Sequence, residues 1–384
     1  MSIENAVYKK VIYIMKSDLH YYPPCVSQIR LLKKSGVNVE VWFGSSNKSA
    51  IDILDSEGIS YCCLGENEKK NSTIGKLANW ISFRKKIAVK IKELSVEEKK
   101  STIFWIGTTE SAIPLLGLIN KISYVLTSLE LLDDRANRNK RKLFGLLSKN
   151  AKAIISCEET RSYIMRYWYK LDRIPYTMPN KPYCLGVEKN AIATCEQTLK
   201  AISLIKGKKV IIYQGIFQNI EYMKEVAIAL KNLDSDYYLV MMGIATYNNN
   251  IINILREIYD KVIYIESIPA PLHLEVTSHA YIGLVFYDGI TLNKAFCAPN
   301  KIYEYSGFGI PAIANDIPGL KNTISNAGAG ECVKFKAKYL EEAIQKINKN
   351  YAEYSKNAID FYNSTDNFVT MKKIINDLNI LHKD

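Results

Sequence analysis

Lys301 and Glu304 stand three residues apart in the run PNKIYEYSGFG (299–309), which reads as a short helix opened by Pro299 and closed by Gly309. That spacing places an ammonium and a carboxylate one turn apart on one helix face. A helix N-terminus offers unpaired N–H groups and the positive end of a dipole, so a phosphate can dock there, with Lys301 adding a cation in the same turn. Glu304 can accept two hydrogen bonds from a vicinal diol such as a ribose. The same two residues could instead form a surface ion pair worth roughly 0.2–0.5 kcal/mol.

Other carboxylates follow apolar runs. Asp18 comes after VIYIM (11–15), Glu110 after TIFWI (102–106) and Glu130 after SYVLT (123–127). Each could act as a base toward a hydroxyl, or be a solvated loop carboxylate. Asp234-Ser235-Asp236 matches a DxD metal pattern but precedes the run YYLVMM (237–242), where a helix-to-strand turn is the better reading. Gly328-Ala329-Gly330 is half of a dinucleotide fingerprint, followed by a strand and not by the helix such a loop requires. The four histidines, His20, His273, His279 and His382, are scattered without metal-ligand spacing, and no GxSxG elbow occurs. No metal site is expected.

Short β-branched or aromatic runs alternate with longer amphipathic ones, the pattern of parallel sheets covered by crossover helices. In the first half strands are predicted over 11–15, 37–43, 59–64, 102–106, 123–127 and 153–156. In the second half they are predicted over 210–214, 237–242, 262–265, 281–286, 311–314 and 331–335. Between the sets lies IPYTMPNKP (174–182), three prolines in a short span, read as an interdomain linker. The expected architecture is α/β, two doubly wound Rossmann-like domains facing across a cleft. The domains are expected at 1–182 and 183–365, with 366–384 a C-terminal helix packing back on the first. Ligands of open parallel sheets bind beyond the carboxyl ends of the strands, so loops after strands are where function is sought.

With 384 residues, 48% hydrophobic and 23% charged, the chain has ample material for buried cores. Its eight cysteines form no CxxC pair and are read as reduced thiols. No apolar run approaches the roughly 18 residues of a spanning helix, and no signal-like region opens the chain, so a cytoplasmic location is expected. The net charge of +12 is uneven. Residues 1–190 carry 31 Lys and Arg against 19 Asp and Glu, and residues 191–384 carry 20 of each. The densest basic stretch, residues 135–152, interleaves Arg and Lys with Leu143, Phe144, Leu146 and Leu147. It could form a basic amphipathic helix for an anionic bilayer, placing the protein peripherally on the inner membrane face, or a solvated helix with its leucines in the core. Nucleic acid is not an expected partner, since no helix-turn-helix, zinc-finger or RNP-like pattern accompanies the basic residues.

The run PNKIYEYSGFGIPAIANDIPGL (299–320) resembles the donor-site segment of the group 1, family 4-like glycosyltransferases, which have the GT-B fold and use nucleotide sugars. YQG (213–215) looks like that family's glycine loop beside the donor diphosphate. LVMMG (239–243), VIYIESIP (262–269), GLVFYDG (283–289) and GAGECV (328–333) fall where its pattern continues. The resemblance covers most of 208–345; the first half is similar only in outline, through LLKKSGVNVEVW (31–42) and MPNKP (178–182).

By that resemblance Glu304 is the second glutamate of a pair spaced eight apart, gripping the ribose. The first falls at Phe296, so recognition of the sugar must differ. The Arg and Lys that often follow the glycine loop are absent from 215–221, which leaves Lys301, the helix N-terminus and Gln218 for the phosphates. The implied donor-binding set is Gly215, Gln218, Gly243, Asn293, Asn300, Lys301 and Glu304. Lys301, Glu130 and Glu110 are the candidates for catalysis. The implied activity is a metal-independent, retaining transfer from a UDP-sugar, bound as substrate with no resident cofactor. The acceptor expected is a lipid-linked saccharide, as in capsule or exopolysaccharide assembly. The rival readings are a catalytically idle GT-B partner subunit and a sugar-nucleotide epimerase.

Overall fold

The runs rich in Val, Ile and aromatic residues become strands buried on both faces, which is the condition under which parallel sheets form. The computed structural model describes residues 7–65, 73–133, 136–217, 219–233, 236–245 and 250–382. Contacts divide the chain into two units. One contains residues up to Tyr183, together with Thr291–Asn293 and the segment from Asp366; the other contains Cys184–Ile290 and Lys294–Thr365.

The first unit is built on β1 (Lys10–Met15), β2 (Val39–Phe43), β3 (Ser60–Cys63), β4 (Thr102–Ile106), β5 (Ser123–Ser128), β6 (Ala153–Ser156) and β7 (Tyr176–Thr177), in the order β3-β2-β1-β4-β5-β6-β7. Every pair is parallel. Alternate residues of β1 serve opposite cores. Ile12 and Ile14 join Phe83, Ile87, Phe144, Leu147 and Met165 on one face. Val11, Tyr13 and Met15 join Ile29, Leu32, Met371 and Ile374 on the other. The helix Asn367–Asp377 therefore belongs to the first unit's core, with Asp366 accepting the backbone N–H groups of Phe368 and Val369 at its start.

The second unit has β8 (Lys209–Phe217), β9 (Tyr237–Ala245), β10 (Val262–Glu266), β11 (Ile282–Val285), β12 (Ala312–Asn315) and β13 (Gly330–Val333), ordered β10-β9-β8-β11-β12-β13 and again wholly parallel. In each sheet the order reverses beside the first strand, between β1 and β4 and between β8 and β11. Such a switch point opens a crevice at the carboxyl ends, where ligands bind.

Two expectations need correction. The stretch 174–182 is not solely a linker, because Tyr176–Thr177 pairs with Ile155–Ser156 as the edge strand β7. Two residues among three prolines carry no periodicity to read, and an edge strand tolerates the missing proline N–H. Gly215 does not lie in a loop. Strands β8 and β9 each run three residues past their predicted ends, with Gly215 opposite Gly243 in register.

Candidate functional site

At the carboxyl end of β8 the backbone leaves the core, and Gly215 has φ +126°, a conformation that L side chains rarely adopt. A Cβ on Gly243 would lie 1.8 Å from the Gly215 carbonyl oxygen, so two glycines let the strand ends approach. A Cβ on Gly215 would lie 3.5 Å from the Lys301 Nζ, which places that ammonium over the bare backbone.

Lys301 sits in the first turn of the helix Asn300–Gly307, with Pro299 as its N-cap and Asn300 as its first residue. Its Nζ donates to the Gln214 carbonyl oxygen at 2.8 Å and lies 4.5 Å from the centroid of the Tyr213 ring. Neither a carbonyl dipole nor a ring face neutralises the charge. Among the described residues Lys301 makes no ion pair, so the surface-pair reading does not hold. Burial lowers its pKa to about 8, against the opposing pull of the Glu304 charge.

Glu304 is buried at 7% exposure, and its environment explains how a carboxylate is kept there. Gln214 Nε2 donates to Glu304 Oε2, and His273 Nε2 lies 3.5 Å from the same oxygen. The amide orientation of Gln214 is fixed from its other side, where the fully buried Thr277 hydroxyl donates to Gln214 Oε1 at 2.6 Å. Among the described residues Oε1 of Glu304 takes no hydrogen bond and is available to a ligand. Gln214 thus touches both candidates, its carbonyl under Lys301 and its side chain on Glu304.

Across the switch point, the Tyr287 N–H donates to Asn315 Oδ1 at 2.6 Å, and Asp288 pairs with Lys294 at 2.5 Å. The carboxyl of Asp288 lies below its usual range; its burial acts upward and is outweighed by Lys294 and the Ile290 N–H. Phe296, which the resemblance aligns with the first glutamate, is half-buried.

The structure thus brings Gly215, Gly243, Lys301 and Glu304 together at one strand end, with Asn300 at the start of the same helix. Gln218 and the Asp234-Ser235 part of the DxD run lie outside the described residues. Asp236 is fully exposed at the amino end of β9. Asn293 groups with the first unit, where its side-chain oxygen accepts the Leu131 N–H at 2.8 Å and its own N–H donates to Asp133 at 2.8 Å, so it is not among the residues gathered at the end of β8. Glu110 and Glu130 also belong to the first unit. Glu110 is held by Lys140 at 2.5 Å, whereas the Glu130 side chain is exposed. Asp18 accepts from the Ser45 hydroxyl. Among the described residues no group of three or more His, Cys, Asp or Glu could hold a metal.

Gln214, Thr277 and His273 were not picked out from the sequence. The available signal was Gln214, a lone polar side chain ending an otherwise apolar strand just before a glycine.

No protein-family model matches the chain, and no curated protein matches it. Solved structures do. UDP-GlcNAc 2-epimerase from Neisseria meningitidis, bound to UDP-GlcNAc, superposes with a TM-score of 0.66 at 14% identity over 96% of this chain and 99% of that one. HepE of Anabaena, crystallised with UDP and glucose, gives 0.66 at 12% identity over 97% and 99%. A glycosyltransferase from Rickettsia africae gives 0.62 at 16% identity over 96% and 98%. At these identities the likeness establishes the fold, the two-domain GT-B architecture, along essentially the whole chain.

Proposed function

We propose that the chain is a glycosyltransferase that binds a UDP-sugar on its second unit and transfers the sugar to a lipid-linked saccharide or similar acceptor in surface polysaccharide assembly. The observation that carries this reading is the pairing at the end of β8 of a buried carboxylate and an ammonium that, among the described residues, have one oxygen without a hydrogen bond and no anionic partner respectively. A ribose diol suits the first and a diphosphate the second. That solved structures of the same fold hold UDP supports the choice of nucleotide. Catalysis would rest on positioning and on the Lys301 charge, which meets the diphosphate as negative charge grows on the leaving group. We assign the acceptor to the first unit, with Glu130 and Glu110 as the carboxylates to test toward its hydroxyl. Retention of configuration is part of the proposal and is read from the anomer of the product.

Calorimetric titration with UDP, followed by incubation with a panel of UDP-sugars and membrane extract read by mass spectrometry, tests the reading. Binding with transfer to the extract is expected. Failure to bind UDP would indicate an idle partner subunit, and a free epimeric sugar nucleotide would indicate an epimerase.

A further inference from the structure

The two faces of the first unit's sheet are covered by helices of different character. One face packs against Thr73–Glu93, Arg138–Ser148 and Glu159–Tyr169, which contribute Phe83, Ile87, Phe144, Leu147, Met165 and Tyr169 to the core beneath. These three helices carry twelve Lys and Arg against two Asp and Glu. The helices of the opposite face, Pro23–Lys34, Lys48–Ser56 and Asn367–Asp377, carry six against three. The charge excess seen in the first half of the sequence is therefore concentrated on one side of one sheet.

The same side leaves apolar groups in solvent. In Thr73–Glu93 the core takes Phe83, Ile87 and Ile91, one stripe at helical spacing. Ile74, Leu77, Ile81 and Val89 run along another side, with Ile74 at 83% exposure, Leu77 at 56%, Val89 at 55% and Ile81 at 47%. Exposed lysines Lys85 and Lys92 lie among them, and Lys76 is exposed in the first turn of the same helix. Tyr167 on Glu159–Tyr169 is 84% exposed, with Arg166 and Lys170 exposed beside it. A helix apolar on two sides with a single core to bury has one side left unpartnered. Anionic headgroups above an acyl boundary match both features, since cations bind the first and apolar side chains enter the second.

We propose that this face, led by the helix Thr73–Glu93, docks on an anionic phospholipid bilayer. The proposal is independent of the nucleotide site, which lies on the other unit. It also moves the expected membrane contact. The basic stretch 135–152 alone supplies charge, but Phe144 and Leu147 are buried in the core, Lys140 is paired with Glu110, and Leu146 is its only strongly exposed leucine. The insertable apolar groups lie on the earlier helix.

Co-sedimentation of the full chain with vesicles of phosphatidylglycerol and phosphatidylcholine, against pure phosphatidylcholine, tests this. Binding only to the anionic vesicles is expected, weakening as salt is raised. The triple variant Ile74→Glu, Leu77→Glu, Ile81→Glu and the double variant Lys85→Glu, Lys92→Glu should each weaken it about tenfold or more, since each basic residue near the surface contributes about fivefold. The control Lys48→Glu, Lys372→Glu on the opposite face should change binding less than twofold. All these side chains except Ile81 and Leu77 lie well clear of packing, so circular dichroism and UDP binding are expected to stay as in wild type. Equal binding to neutral vesicles, no binding to anionic ones, or equal loss in the control would overturn the proposal. A dimer in sedimentation equilibrium that the triple variant dissociates, with vesicle binding intact, would assign the stripe to a second copy of the chain and overturn it as well.

Discussion

Lys301 offers a pH-dependent test of the diphosphate site. In the free protein its pKa is about 8, because burial disfavours the ammonium more than Glu304 favours it. A bound diphosphate would bring negative charge to the Nζ and return it toward the ordinary lysine range of about 10.4. Below pH 8 the lysine is already protonated, so UDP affinity should be flat in pH. Above pH 8 each binding event must also take up a proton. The dissociation constant should then rise about tenfold between pH 7 and 9, with uptake of about 0.9 proton per UDP at pH 9. The phosphate ionisation near pH 6 lies outside this window. Calorimetry in buffers of different ionisation enthalpy measures both quantities. Lys301→Met should bind weakly with no pH dependence over that range, and Lys301→Arg, charged throughout, should also be flat. Folding provides the control. Since the folded-state pKa is depressed, the unfolded chain holds more protons between about pH 8 and 10.4, and stability should rise with pH there. Lys301→Met should be no less stable than wild type at pH 7, because it removes a half-buried cation that has no ion-pair partner among the described residues. Wild-type affinity that stays level from pH 7 to 9, or an unchanged slope in Lys301→Met, would show that this ammonium does not meet the phosphates.

Glu304→Gln should raise the KM for the donor by roughly 1.5–3 kcal/mol, about 10- to 150-fold, with a smaller effect on kcat, because a ribose contact is made in ground and transition states alike. Equal kcat loss at unchanged KM would count against a ribose role. Gly243→Ala should lower the thermal midpoint, at a cost of at least about 1–3 kcal/mol, because the added methyl meets the Gly215 carbonyl; a wild-type midpoint would show that the strand ends do not approach as described. Transfer should survive EDTA and the change Asp236→Asn. Loss on chelation, restored by manganese or magnesium, would place a metal in the reaction.

The alternating pattern made the fold legible because parallel strands are buried on both faces, and a continuous apolar run such as TIFWI has few other uses in a chain of this composition. What escaped were features without periodicity. Strand β7 is two residues long, and the ends of β8 and β9 pass through Gly215 and Gly243, residues that ordinarily punctuate strands. Their pairing depends on two backbones meeting, which a one-dimensional pattern does not contain. The outer stripe of Thr73–Glu93 escaped for a related reason: with apolar residues on two sides, the helix shows little net amphipathicity, and only the position of the core tells which side is left over.

The candidate site was legible in its charged members and not in what holds them. Lys301 and Glu304 stood out because a lysine and a glutamate one turn apart near a helix start suggest phosphate and diol. The sequence left open whether they would simply pair with each other, and the answer lies in Gln214. Its backbone carbonyl takes the ammonium and its side-chain amide takes one carboxylate oxygen, so the two charges are kept on separate groups of one residue. Thr277, fully buried, fixes the amide so that nitrogen and not oxygen faces Glu304. Two charges poised against neutral dipoles keep their capacity for a charged or hydroxylated ligand, whereas a direct pair would have to break before binding one. The polar end of one apolar strand, which by pattern alone looks like its last residue, thereby holds the site's two charges apart.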